Sequence, residues 1–411
     1  MDEYIQLQKT NDKISQNRAL SEEDKMYCTL VGEKQILDEE TIRKIDEHYA
    51  GKMFVGAGPA YNVTINLSYK CNLNCRYCYQ KQYSSKEGKI TCEDIPKIKE
   101  FIEKYNLGEK LNKITISGGE PLLAENIGVI QKILDSFSNI KFSLYTNGIN
   151  IKKYAEAIDF ARFHEIQISL DGYNSVISEL SKSGEIDAFY KILDGIRFAA
   201  GLGSSITIIC MMSHGIETWL EGFLLDLKNE NILSDRLKIR ICIPINQKSD
   251  DVINYDCFSF KDYQEIKKIV QKREFREYVE LDSLVGFSRI KQKLFRERNT
   301  RPEGEGRICK NEIKTPMAIG PDGRVYWCIC ADHNNAIIGN YHDGLIYNEV
   351  LDKYKKRNIF EIDQCRRCDM RYICSSGCPH SLAAGNKEIL LPACREFDNE
   401  RLVDMMEEFV L

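Results

Sequence analysis

From Tyr61 to about Asn246, short apolar runs alternate with longer stretches in which apolar residues recur every three or four positions. The runs Val63–Leu67, Ile114–Ile116, Phe142–Tyr145, Ile166–Leu170, Ile206–Ile209 and Leu237–Ile243 read as strands, rich in β-branched residues. Between the first two, Thr91-Cys-Glu-Asp94 looks like a capping box opening a helix, with Ile95, Ile98, Ile102 and Tyr105 on one face. Ile127, Ile130, Leu134 and Phe137 mark the next helix. Six strands separated by helices predict an α/β fold of parallel units joined by right-handed crossovers.

The flanks differ in pattern. Residues 1–60 are charged, with helical periodicity in pieces such as Ile42, Ile45 and His48, and end in the loop signal Gly56-Ala-Gly-Pro59. They predict a mainly helical N-terminal extension before the α/β segment at 61–250. Residues 251–306 predict a helical bridge: Ser259 to about Arg298 reads as helix with dense charge, and Asn299 to Gly306 forms a Gly/Pro break. The basic positions Lys291, Lys293, Arg296, Arg298 and Arg301 are interleaved with acids, the pattern of a solvated face. Residues 307–411 form a Cys-rich final segment.

Composition narrows the function classes. The 411 residues are 43% hydrophobic and 29% charged, as in an ordinary soluble chain. A net charge of -5 leaves no electrostatic footprint for nucleic acid. The N-terminus lacks the cationic start and apolar core of a signal peptide, and no apolar run approaches a membrane span, so a cytoplasmic location without membrane contact is expected. In that reducing compartment 16 cysteines point to metal rather than to disulfides.

Cys71-Asn-Leu-Asn-Cys75-Arg-Tyr-Cys78 follows the first strand and offers three soft thiolate ligands from one loop. A structural zinc site takes four ligands, whereas three leave a metal position open to a small molecule. Half a zinc site, or three buried thiols, is the bland reading. The spacing, with aromatic Tyr77 before the last cysteine, resembles the radical S-adenosylmethionine (SAM) enzymes. That resemblance implies a partial (β/α)6 TIM-type barrel. It also implies that Cys71, Cys75 and Cys78 hold a 4Fe-4S cluster that binds SAM and cleaves it to a 5'-deoxyadenosyl radical.

Further residues join that resemblance. Ser117-Gly118-Gly119-Glu120-Pro121 closes the second strand at the mouth where barrel enzymes keep their sites. It matches the family's motif for the SAM amino group, and Glu120 can accept from an ammonium. Thr146-Asn147-Gly148 closes the third strand and Ser169-Leu-Asp171-Gly172 the fourth. By matching position Asn147, Ser169 and Asp171 would contact SAM, the last two at the ribose, while an Asx-type turn is the competing reading for Asn147 and Asp171. Relatives use an Arg for the SAM carboxylate; here Lys182 is the available cation, a point charge rather than a fork.

Cys309, Gly323 and Cys328, then Cys365-x2-Cys368-x5-Cys374-x3-Cys378, then Cys394 resemble the SPASM extension of radical SAM peptide maturases. A zinc ribbon is the rival, since paired Cys-x2-Cys knuckles are its hallmark. The resemblance implies two auxiliary iron-sulfur clusters, the first on Cys309, Cys328 and Cys378, the second on Cys365, Cys368, Cys374 and Cys394. Glu303 stands where fully ligated relatives have a further cysteine, so the first cluster is completed by Glu303 or Cys330, or keeps an open iron. Cys210 and Cys242 lie in apolar strands and read as core.

Together these predict a peptide maturase that forms a thioether or carbon-carbon crosslink in a ribosomally made precursor peptide. A flavodoxin or ferredoxin would supply electrons, and a separate peptide-recognition protein is a candidate partner. The enzymatic alternative is an anaerobic sulfatase-maturing enzyme, although such enzymes carry an Asp where this chain has Ile329. The alternative from another class is a non-catalytic iron-sulfur or zinc scaffold.

Overall fold

The computed structural model describes residues 60–75, 78, 80, 88–105, 110–171, 182–183, 187–211, 217–230, 232–242, 260–281, 317–328, 336–357 and 361–366. They divide between two compact units, and the one carrying the sheet spans Pro59–Asp282 and Pro316–Asn348. Its first half runs β1 (Ala60–Asn66), β2 (Asn74–Cys75), α1 (Asp94–Lys104), β3 (Lys110–Ser117), α2 (Ile127–Ser136), β4 (Lys141–Thr146) and β5 (Phe163–Ser169). There follow β6 (Lys182–Ser183), α3 (Ala188–Ala200), β7 (Ser205–Met211), α4 (Glu217–Asn229), β8 (Leu237–Cys242), α5 (Phe260–Val270) and β9 (Val279–Leu281). After the 282–316 interval come β10 (Met317–Ile319), β11 (Arg324–Tyr326), β12 (Ile337–Asn340) and β13 (Leu345–Ile346).

Eleven strands form one sheet in the order β13-β12-β11-β10-β1-β3-β4-β5-β7-β8-β9. Every pairing from β10 to β9 is parallel, whereas β10 to β13 form an antiparallel meander on the β1 edge. The six strands expected from the sequence are all present, in an α/β sheet of the partial-barrel type. On one face Ile65, Ile114, Ile116, Leu144, Ile166, Ile168, Ile208, Ile239 and Ile241 are fully buried. Burial of each such side chain contributes about 1.5–3 kcal/mol, which makes this face the main source of stability.

The other face is polar. Registers that place Thr64 beside Thr115, Thr115 beside Ser143, and Gln167 beside Thr207 line up one hydrophilic wall across the strands. On it Glu165 accepts from Gln167 Nε2 at 2.9 Å and Ser143 Oγ at 3.3 Å, and Lys113 lies 3.6 Å from the same carboxylate. Burial opposes ionisation of Glu165, but those hydrogen bonds and Lys113 outweigh it and hold the carboxyl below its usual range. Tyr145, beside Glu165 and Arg240, has its phenol raised, chiefly by burial.

Three sequence expectations change. The region read as helix from Ser259 to about Arg298 is helical only over Phe260–Val270 among its described residues; β9 then returns to the sheet as a seventh parallel strand beside β8. The barrel unit thus extends past the 250 boundary. Likewise 316–348 groups with the barrel unit rather than with the remainder of the Cys-rich segment that begins at 307. Helix α1 anchors that meander: Tyr105 donates its hydroxyl to Gly344 O at 2.5 Å, Lys104 Nζ reaches the same oxygen at 3.2 Å, and Asp94 lies 3.9 Å from His342.

In the other unit, helices α6 (Asn348–Lys356) and α7 (Asp363–Arg366) supply the described residues, with Leu351, Tyr354, Arg357, Ile362 and Cys365 buried. Among the described residues no helix is long and apolar enough to cross a membrane.

Candidate active site

The site begins where β1 and β3 end. Their pairing continues beyond the strands: Leu67 N donates to Ser117 O at 2.9 Å, Gly119 N to Ser68 O at 2.8 Å, and Glu120 N to Lys70 O at 2.8 Å. The cysteine loop is therefore laid backbone to backbone against the Gly-Gly-Glu-Pro turn. Only glycine permits this approach. Gly118 has φ of 138°, and a Cβ there would sit 2.6 Å from Ser68 O; at Gly119 it would sit 2.2 Å from Lys70 O.

Glu120, 1% exposed, turns inward. Its carboxylate accepts from Leu122 N at 2.8 Å, Thr146 Oγ1 at 2.6 Å and Asn147 N at 2.7 Å. Those donors take three of its about four acceptor positions, so the carboxylate ties the ends of β3 and β4 together. Pro121 beside it is buried. Asn147 forms an Asx turn, its Oδ1 accepting from Ile149 N at 3.1 Å, and its Nδ2 donates to Asn72 Oδ1 at 2.8 Å.

Cys71 Sγ accepts from Leu73 N at 3.4 Å. The residue keeps accessible surface, yet the crowding around its sulfur pushes the thiol up to about 11; Leu73 N opposes this, Glu120 and Cys78 add to it, and Asn147 opposes it. Cys75 is held by the β2–β6 ribbon, in which it pairs with Lys182. That pairing brings the Lys182 backbone beside the loop. Cys78 N donates to Cys75 O at 3.3 Å, which turns the loop back on itself.

All three cysteines line one cavity of about 560 Å³, shared with Tyr69, Gln80, Gly119 and Leu123. Among the described residues no three Cys, His, Asp or Glu side chains gather around a single metal ion. The cavity has room for a group larger than one ion, and its soft sulfur donors suit iron-sulfur chemistry.

Other predicted residues separate from this cavity. Asp171 is 4% exposed and its Oδ1 accepts from Met211 N at 2.8 Å, so it ties the end of β5 to β7. Ser169, half-buried, ends the polar wall of β5. Cys328 follows β11 and Cys71 follows β1; because β11 runs antiparallel to β10, and β10 parallel to β1, the two lie beyond opposite ends of the sheet. Cys365 belongs to the other unit. Tyr77, Cys309, Cys330, Glu303, Ile329, Cys368, Cys374, Cys378 and Cys394 lie outside the described residues. Cys210 is core, whereas Cys242 is half-buried.

Sequence reading missed Asn72, Thr146 and the Lys113–Glu165–Tyr145–Arg240 group. The last had a signal: in Phe163-His-Glu-Ile-Gln-Ile-Ser169, polar residues alternate with apolar ones, which gives β5 one hydrophilic face.

The parallel β/α sheet thus carries three thiols around one cavity at the C-terminal ends of β1 and β3. Residues 65–221 match the family model of the Radical SAM superfamily, and over them the chain carries a radical SAM domain. The chain is 33% identical over 156 residues to GTP 3',8-cyclase of Aliarcobacter butzleri, covering 37% of this chain and 46% of that protein. It thus spans about half the length of that curated relative. Two solved structures share the fold. Native anSMEcpe with bound AdoMet has TM-score 0.62 at 18% identity, over 85% of this chain and 96% of that one. Streptococcus suis SuiB bound to precursor peptide SuiA has TM-score 0.60 at 16% identity, over 85% and 79%.

Proposed function

We propose that this chain is a radical SAM enzyme that modifies a ribosomally made peptide, with a SPASM-like C-terminal segment. The observation that carries the reading is the 560 Å³ cavity ringed by Cys71, Cys75 and Cys78 and backed by Gly119. These residues fit a 4Fe-4S cluster with one open position for SAM. Held there, such a cluster would supply the one-electron reduction that cleaves SAM to methionine and a 5'-deoxyadenosyl radical, which would take hydrogen from the substrate.

This chain's residues hold and orient. Gly118 and Gly119 would offer backbone groups to the SAM amino acid, and Lys182, paired through its backbone with Cys75, would be the cation for the carboxylate. Ser169 would contact the ribose. Asp171 and Glu120 keep the strand ends in register. The seven cysteines from Cys309 to Cys394 would carry two auxiliary clusters that accept the electron left on the substrate or hold a cysteine sulfur, giving a thioether or carbon-carbon crosslink. Peptide as substrate is supported by the fold shared with SuiB, which was solved with its precursor peptide.

A second reading is favoured by the curated relative, a GTP 3',8-cyclase. Anaerobic reconstitution with SAM and a reductant tests the common core: 5'-deoxyadenosine must form, and must vanish in Cys75→Ala. Co-expression with each small open reading frame beside the gene, followed by tandem mass spectrometry, then separates the two. A peptide lighter by two hydrogens, with fragmentation blocked between two residues, supports the maturase; conversion of added GTP with every peptide unchanged replaces it with the cyclase.

A further inference from the structure

Backbone bonds hold the cysteine loop on either side of Asn72. Gly119 N and Glu120 N donate to Ser68 O and Lys70 O, both at 2.8 Å, just before Cys71, and the β2–β6 ribbon pairs Asn74 and Cys75 with Ser183 and Lys182. Between them lies a tie of another kind. Asn72 accepts at Oδ1 from Asn147 Nδ2 at 2.8 Å, a part-buried bond between side chains 75 positions apart.

Asn147 is a fixed anchor for that bond. Its N–H donates to Glu120 Oε2 at 2.7 Å and its Oδ1 accepts from Ile149 N at 3.1 Å, so the amide is oriented with Nδ2 toward the loop. Asn72 lines the cavity shared by Cys71, Cys75 and Cys78. The bond therefore joins the loop that carries the thiols to the buried end of β4. A metal group held by thiols of one loop is lost when that loop opens, because the sulfurs must part for iron to leave. Ordering the empty loop beforehand also removes part of the entropy that loading would otherwise cost.

We infer that Asn72 is a positioning residue for the cysteine loop: its bond to Asn147 latches the loop to the end of β4 and slows the loss of iron from Cys71, Cys75 and Cys78. This rests on the reading that those three cysteines hold an iron-sulfur cluster.

The test is iron release from the full chain, loaded anaerobically, to an excess of a ferrous chelator without SAM or peptide. The phase missing from a Cys75→Ala chain reports this site. Asn72→Ala removes the acceptor and Asn147→Ala the donor, and each should speed that phase about fivefold to tenfold, the effect of one lost hydrogen bond. A latch makes the two losses one: the double variant should be within about twofold of the faster single variant, whereas independent effects multiply. Asn72→Asp keeps an acceptor in place and should stay within about threefold of wild type. Asn72→Ala at the wild-type rate, or single effects that multiply, overturns the inference; if Asn147→Ala does not fold, an Asn72→Asp chain as fast as Asn72→Ala does so. Wild type that loads no iron on these cysteines overturns instead the reading beneath it.

Discussion

Gly119→Ala probes the contact on which the site depends. The new Cβ would meet Lys70 O at 2.2 Å, and Lys70 C and Tyr69 O at 2.6 Å, all backbone atoms with no rotamer to change. Ordinary contact begins near 3.5 Å, so the Tyr69–Lys70 segment must retreat by about 1 Å or more. The retreat breaks the 2.8 Å bonds from Gly119 N to Ser68 O and from Glu120 N to Lys70 O. Two such bonds at about 1 kcal/mol each, with about 1–3 kcal/mol of overpacking, give a loss of about 3–5 kcal/mol. The two tryptophans, Trp219 and Trp327, both lie in the sheet-bearing unit, so urea unfolding tracked by their fluorescence reads the right region. Gly222→Ala is the control: it is helical, with nothing within 4 Å of the new methyl, and gains up to about 1 kcal/mol. Iron uptake by Gly119→Ala should fall with its stability. A Gly119→Ala chain within about 0.5 kcal/mol of wild type, loading iron normally, would refute the close-approach reasoning.

The same geometry sets three other outcomes. Glu120→Gln replaces one carboxylate oxygen by a donor, which faces either Asn147 N or the pair Leu122 N and Thr146 Oγ1, and should cost about 1–3 kcal/mol in the same urea assay; an unchanged midpoint would show that the carboxylate is not the tie described. Asp171→Ala, which strands Met211 N, should cost about 1–3 kcal/mol in that assay, and Asp171→Asn less because an acceptor remains. In the cluster-free chain, the Cys71 thiol at about 11 should be alkylated about a hundredfold more slowly at pH 8 than an ordinary cysteine. Its rate, read by peptide mass spectrometry, should keep rising with pH until near 11. Because the fold holds this proton more tightly than the unfolded chain, the contribution to stability is intact below about 9 and is lost as pH rises to about 11.

Much of the barrel is legible because each long strand carries its own pattern. In β5 and β7, isoleucines at alternate positions face the helices, and the Thr91–Asp94 stretch does open α1, with Asp94 Oδ2 accepting from Thr91 N at 2.8 Å. Strand β9 is three residues within charged sequence, and β13 is two; neither is long enough to show a period. The meander could have been suspected from Gly320-Pro-Asp-Gly323, a turn signal between two apolar runs. At the site, the motif residues were visible but their hydrogen-bond partners were not. Glu120 and Asn147 are 27 positions apart, and Asp171 and Met211 are 40. Partners so distant are set by strand order, which no local window contains.

The sheet separates stability from recognition by the parity of its strands. Isoleucines at one parity carry the burial energy, so substitutions at the other parity leave the main stabilising term untouched. Lys113, Glu165 and Arg240 occupy that second parity with side chains 25%, 22% and 39% exposed, within reach of whatever enters the barrel. A polar wall can therefore be rewritten for a new substrate while the apolar one keeps the fold. The chain shares its architecture with anSMEcpe and SuiB at 16–18% identity.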